Sequence, residues 1–243
     1  MAEARYAVYW MPDAGSQLAA VLDGLIGYDA ASGEERQLVP PDGFEAAGWA
    51  ELTSEPRRYG IHATLKAPFR LAQGASVADL AAALDTLSSR MAPFALGRAR
   101  TTCLGKEHGR QFVALTVPSS YPLTQLEKRL VTELDLFRAP STPAEIARRN
   151  PASLDATERR YLDTYGYPYV LDRFRFHITL TNATEQHERV AAAIANHLQR
   201  PRLLEPPLLC HAIALCQQPR PDARFRCVRL FPLRGALPFQ IGA

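Results

Sequence analysis

The sequence predicts an α+β protein built as two similar lobes around a central cleft, and three observations carry that expectation. The string His-x-Thr-Leu occurs twice, at His62–Leu65 and at His177–Leu180. Each copy lies in a run of β-branched, aromatic and aliphatic residues that reads as a strand, Tyr59–Phe69 (YGIHATLKAPF) and Phe174–Thr181 (FRFHITLT). Each strand is followed by a helical pattern and then by two more strand-like runs, an internal repeat in architecture though not in detailed sequence.

Arg5–Met11 is aromatic and β-branched and ends at Pro12, so it reads as a strand. Ser16 caps a helix over Gln17–Ile26, with Leu18, Val21, Leu22 and Leu25 at helical spacing and Gly27 as the stop. Asp29–Pro41 is loop-like and Phe44–Leu52 a short helix. The first His-x-Thr strand ends at Pro68. A helix over Val77–Arg90 presents Leu80, Ala83, Leu84 and Leu87 as its apolar stripe. Phe94–Leu104 and Gln111–Val117 are strands joined by the turn GKEHG, and a helix over Leu123–Phe137 turns Leu126, Leu130, Leu134 and Phe137 inward.

Ala139–Tyr169 then breaks the rhythm with ARRNP (Ala147–Pro151), a helix near Leu154–Tyr165 and YGYPY (Tyr165–Tyr169). After the second His-x-Thr strand, a helix over Glu185–Leu198 stops at Pro201, and Leu208–Cys216 and Phe225–Leu233 are the last strands. The expected organisation is one bilobal domain over residues 1–243, with a first-motif lobe at about 55–120, a second at about 170–235 and a cleft-edge insertion at about 139–169.

With 243 residues, 47% of them hydrophobic, the chain can bury a sizeable core. A net charge of +3 does not suit a DNA-coating protein but admits a small anionic substrate where arginines cluster. Cys103, Cys210, Cys216 and Cys227 form no C-x-x-C pair, which favours reduced thiols over disulfides or a zinc knuckle. The start MAEARYAVYWMPDAG does not read as a signal peptide, and no apolar run nears the ~20 residues of a membrane span. The expected location is the cytoplasm, with no membrane partner.

Side chains alternate along a strand. His62, Thr64 and Lys66 therefore share one face of the first strand, and Arg175, His177, Thr179 and Thr181 one face of the second, with the two fronts expected to face each other. A His beside a Thr can also be a satisfied structural pair. Two facing histidines suit phosphodiester chemistry. One, neutral, takes a proton from the attacking water or hydroxyl, and the other, protonated, gives one to the leaving oxygen. Threonine hydroxyls can donate to the phosphoryl oxygens where charge gathers. The scheme requires no metal and no cofactor, and neither face supplies a carboxylate for a metal.

Paired His-x-Thr strands, each followed by a helix, resemble the 2H phosphoesterase superfamily. YGIHATLKAPF, the RRNP segment and the YGYPYV…FRFHITLT run are similar to a branch of it, the putative phosphonate-metabolism proteins associated with the carbon–phosphorus lyase pathway. The resemblance implies two pseudo-symmetric lobes, each an antiparallel sheet with helices on its outer face. It also implies metal-independent action on cyclic or linear phosphodiesters. It maps the catalytic positions onto His62, Thr64, His177 and Thr179, with His177 as base and His62 as acid. Through the pathway it suggests a substrate, 5-phosphoribosyl 1,2-cyclic phosphate.

Further binding candidates are less determined. Lys66 and Thr181 extend the two fronts, although Lys66 also reads as a solvated strand-end lysine. Arg148 and Arg149 can clamp a second phosphate or simply end a helix in solvent, and the same segment carries Arg159 and Arg160. Tyr167 and Tyr169 can wall the cleft or serve as core, and Arg175 can pair with Asp172 or another acid. The partner is a phosphorylated sugar or a nucleotide. An RNA-end 2′,3′-cyclic phosphodiesterase or ligase-type enzyme is the alternative, disfavoured but not excluded by the absence of a basic run. A non-catalytic sugar-phosphate or nucleotide sensor is the second, and a sensor needs no general acid.

Overall fold

The computed structural model describes residues 4–107, 109–199 and 202–236. Met1–Glu3 at the start of the chain, His108 of the expected GKEHG turn and Pro201, the expected helix stop, lie outside the described residues. Strand β1 (Arg5–Trp10) leads into helix α1 (Gln17–Ile26), capped by the Ser16 hydroxyl and closed by Gly27 in a left-handed conformation. The expected loop folds into a small hairpin, β2 (Tyr28–Asp29) with β3 (Glu34–Glu35), followed by α2 (Ala46–Leu52) and α3 (Ser54–Tyr59). Next come β4 (Ala63–Arg70), α4 (Val77–Ser89), β5 (Phe94–Gly97), β6 (Arg100–Glu107), β7 (Arg110–Thr116) and α5 (Tyr121–Glu133). The interrupting segment carries α6 (Pro143–Ala147) and α7 (Ala156–Tyr165). The chain continues with β8 (His177–Thr179), α8 (His187–Gln199), β9 (Leu208–Cys210), β10 (Ala212–Gln218) and β11 (Arg226–Pro232).

The main sheet has seven strands in the order β11-β10-β1-β4-β8-β7-β6, every neighbouring pair antiparallel. This corrects the expectation of a separate sheet for each lobe. The two His-x-Thr strands are neighbours in the middle of one sheet, where pairing edge to edge satisfies their backbone groups. The hairpin β6–β7 that follows the first motif stands beside β8, while β10–β11 at the chain's end stands with β1 and β4. Helix α4 packs on β10 and β11, α5 on β4, and α8 on β6 and β7, so the strand pairs are exchanged between the halves.

The helices cover one face. Leu80, Leu84 and Leu87 of α4, Leu123, Leu126 and Leu130 of α5, and Val190, Ile194 and Leu198 of α8 join Val8, Val113, Leu115, Ile178, Ile213 and Leu215 in one buried cluster. Full burial of each such side chain stabilises by ~1.5–3 kcal/mol before the entropy of ordering is counted. Two expected strands are split: Phe94–Leu104 breaks at Gly97, which sits at φ 98°, and Leu208–Cys216 breaks between β9 and β10. Their first pieces, β5 and β9, pair with each other outside the main sheet.

Strand β4 does not alternate evenly. Thr64 stands opposite Tyr9 but Lys66 opposite Val8, so two steps of β4 match one of β1. The bulge at Leu65 turns Lys66 to the helix face, where Val8 is buried. A second irregularity, between the Val8–Lys66 and Tyr6–Phe69 pairs, accommodates Pro68 and lets the strand run on to Arg70. No helix among the described residues is long and apolar enough to cross a membrane.

Candidate functional site

Ala63 of β4 and Ile178 of β8 are register partners, both buried against the helices. Residues on either side of them point to the opposite face. That places His62, Thr64, His177 and Thr179 together on the face the helices leave open. Extending the register one step each way sets His62 across from Thr179 and Thr64 across from His177.

The two histidines are held alike. His62 Nδ1 lies 2.8 Å from the Gly60 carbonyl oxygen, and His177 Nδ1 lies 2.8 Å from that of Arg175. A carbonyl only accepts, so each Nδ1 carries the proton and donates it, leaving Nε2 as the basic nitrogen of the neutral ring. The Gly60 carbonyl reaches His62 because Gly60 adopts φ 76°, and a Cβ there would lie 2.2 Å from the Ala30 Cβ. Burial lowers both imidazoles. His62 is brought down to about 4, with His177 adding to the fall and the Gly60 bond opposing it, and His177 is lowered against its bond to Arg175. Both rings are therefore neutral at pH 7.

His62, Thr64, Thr179 and Thr181 line a cavity of about 360 Å³ together with Tyr9, Tyr59, Phe112 and Arg149. His177 lies at its margin, 5.9 Å from the Phe112 ring. A second cavity of about 450 Å³ adjoins the first, and Arg5, Tyr59, Arg149 and Tyr167 line both. Its other cations are Arg58, Lys66, Arg70, Arg138 and Arg148, against the single carboxylate Glu145.

Arg149 stands where the cavities meet, and two sequence strings combine to put it there. In RRNP, α6 ends at Ala147, the Arg149 amide donates to the Ile146 carbonyl, and Asn150 turns the chain at φ 45°, a conformation Asn tolerates. In YGYPY, Gly166 closes α7 and brings Tyr167 beneath Arg149, whose guanidinium lies 4.7 Å from the ring centroid. Among the described residues Arg149 has no carboxylate partner. The segment is moored to the end of β4, where Arg70 pairs with Glu145 at 3.2 Å and the Ala139 amide donates to the Arg70 carbonyl.

The other binding candidates fare differently. Lys66 is not on the His/Thr face: its ammonium is buried, donates to the Val131 carbonyl at 2.9 Å and lies 3.4 Å from Asp135, and desolvation lowers it to about 8. Thr181 reaches the first cavity, but its hydroxyl oxygen accepts the Val113 amide at 3.0 Å, bracing the end of β8. Tyr169 is 47% exposed and edge-on to Tyr167, outside both linings. Arg159 donates to the Leu154 carbonyl and Arg160 stacks on Tyr161, so only Arg148 and Arg149 of the segment's four arginines reach a cavity. Asp172 is taken by Tyr161 and Arg173 rather than Arg175. The sequence reading missed Tyr9, Arg5 and Phe112. Their alternation was visible, but only the strand order brings them beside the motifs.

A family model described as "Protein of unknown function (DUF1045)" matches residues 64–226. The chain belongs to that family. Two relatives, from Janthinobacterium sp. (strain Marseille) and Laribacter hongkongensis (strain HLHK9), are each described as ribose 1,5-bisphosphate phosphokinase PhnN. Both are 34% identical, over 95% and 93% of this chain. The chain spans about half of their length, 51% in each case. Among solved structures, Kluyveromyces marxianus Usb1 with uridine monophosphate matches 95% of this chain and 98% of its own at 11% identity, with a TM-score of 0.37.

Proposed function

We propose that this DUF1045 protein is a metal-independent phosphodiesterase that hydrolyses a cyclic phosphate on a sugar carrying a second phosphate, and that the substrate is 5-phosphoribosyl 1,2-cyclic phosphate. The observation that carries this reading is the pair of identically braced histidines, set crosswise with two threonines at a cavity that continues past Arg149 into a second, arginine-lined one.

In the proposed reaction the cyclic phosphate sits against His62, Thr64, His177 and Thr179. One imidazole Nε2 takes a proton from water as the water oxygen bonds to phosphorus. The P–O2 bond breaks, and the other imidazole, protonated, gives its proton to the departing O2. The acid gains that proton with the anionic substrate, whose field opposes the burial that lowers both rings. Thr64 and Thr179 donate to the non-bridging oxygens. Which ring gives and which takes follows from which ester oxygen lies beside it.

Opening at O2 leaves ribose 1,5-bisphosphate. The similarity to relatives described as ribose 1,5-bisphosphate phosphokinases supports this choice, since the product would be a compound of that description. The 5-phosphate is held by Arg149 and Arg148. A charge-assisted contact of this kind contributes ~1.5–3 kcal/mol, roughly 10- to 150-fold in specificity. The test compares ring-opening of the compound with that of its analogue lacking the 5-phosphate, in wild type and in Arg148→Ala/Arg149→Ala. Wild type should prefer the phosphorylated compound by that factor and the double variant should lose the preference. Equal rates in wild type, or a preference for a 2′,3′-cyclic nucleotide stacked on Tyr59 or Phe112, would favour an RNA-end enzyme instead.

A further inference from the structure

Tyr9 stands directly opposite Thr64 on the neighbouring strand, so its side chain leaves the same face. Its ring lies 4.0 Å from the His62 imidazole at an interplanar angle of 31°, and 5.9 Å from Phe225, which fixes its direction. The residue is 1% exposed, and its hydroxyl has no hydrogen-bond partner among the described residues. Of the residues that carry a buried side-chain polar atom without a partner among the described residues, Tyr9 alone lines the His/Thr cavity. Folded proteins rarely leave such a group unpaired, because burial removes it from water with nothing in exchange.

We infer that Tyr9 is a specificity residue whose hydroxyl donates a hydrogen bond to a sugar oxygen of the substrate, between the reacting phosphoryl group and the second phosphate. The inference rests on the phosphodiesterase reading and names a contact that reading leaves open. The placement follows from the groups around the hydroxyl. Tyr9 lines the His/Thr cavity with Tyr59, Arg5 and Tyr167, and all three of these also line the second cavity. Thr64 and Thr179 already face the reacting group. Burial raises the phenol well above its usual value, so at neutral pH it keeps its proton and acts as a donor.

Tyr9→Phe removes the oxygen and keeps the ring stacked on His62. The test is calorimetric titration of wild type and this variant with ribose 5-phosphate and with inorganic phosphate, beside their thermal melts. Ribose 5-phosphate should bind the variant about 3- to 10-fold more weakly while inorganic phosphate binds both alike. Tm should hold or rise, since no bond is lost. Turnover on the cyclic phosphate should fall through KM rather than kcat, the mark of a contact made equally before and during reaction. Unchanged ribose 5-phosphate affinity, no binding to wild type, a loss confined to kcat, or a lowered Tm would each overturn the inference. The binding arm needs no turnover, so it stands or falls apart from the phosphodiesterase reading, which the histidine variants test.

Discussion

His62 is paired through Nδ1 to the backbone and half-buried in a desolvating surround, and these two facts set how it titrates. The unfolded chain protonates an imidazole near 6.5, whereas the folded protein holds His62 down to about 4. Between those values the unfolded state binds more protons, so His62's contribution to stability is complete above about 6.5 and is lost as pH falls toward 4. Urea denaturation across that range should show stability falling toward acid, with a shallower fall in His62→Gln. Identical profiles would mean the ring is not held neutral. Lys66 makes a different prediction. Its ammonium serves the Val131 carbonyl and Asp135 in the interior, so Lys66→Ala should cost about 1–3 kcal/mol in thermal denaturation. The alternation of two short strings is enough to place His62 and Thr64, or His177 and Thr179, on one face. It fails at Lys66 because a one-residue bulge resets the count, and nothing in YGIHATLKAPF announces where an extra residue will fall.

Among the elements, the turn before β4 is the most tightly specified. Gly60→Ala would force a Cβ into that of Ala30 at a left-handed φ, and should lower stability by at least ~1–2 kcal/mol while displacing the carbonyl that braces His62. Gly48 lies inside α2, and a methyl group there would meet nothing within 4 Å, so Gly48→Ala should raise stability by ~0.5–1 kcal/mol. Melting both variants beside wild type checks the contrast; equal effects would mean the turn is not under that constraint. Helix α1 is readable to its ends because Ser16 and Gly27 punctuate it. Helix α3 is hidden by Pro56 in its first turns, where a proline is tolerated. The breaks at Gly97 and before β10 are hidden because no proline or long polar stretch marks them, and only the choice of partner strand separates the pieces.

For the whole molecule, the repeated order of a His-x-Thr strand, a helix and two strands is legible in the sequence, but the way the strands join is not. Reading along the chain assigns consecutive strands to one lobe, whereas β6–β7 and β10–β11 cross to the half that holds the other motif. The pairing of β4 with β8 joins the two motifs and that of β4 with β1 brings Tyr9 against His62, and local sequence carries no record of either. In the proposed mechanism charge on the phosphoryl group is met by Thr64, Thr179 and the nearby arginines. Activity should therefore survive exhaustive chelation; loss with EDTA restored by zinc or manganese would require another mechanism. The central claim is that two histidines pass protons across one phosphoryl group. Phosphorus NMR of 5-phosphoribosyl 1,2-cyclic phosphate incubated with wild type, His62→Ala and His177→Ala, each shown folded by circular dichroism, tests it most directly. Wild type should convert the cyclic signal to that of ribose 1,5-bisphosphate, and each variant should do so at least ~10²-fold more slowly. A folded single variant that keeps the full rate, or a wild type that leaves the ring closed, would contradict it.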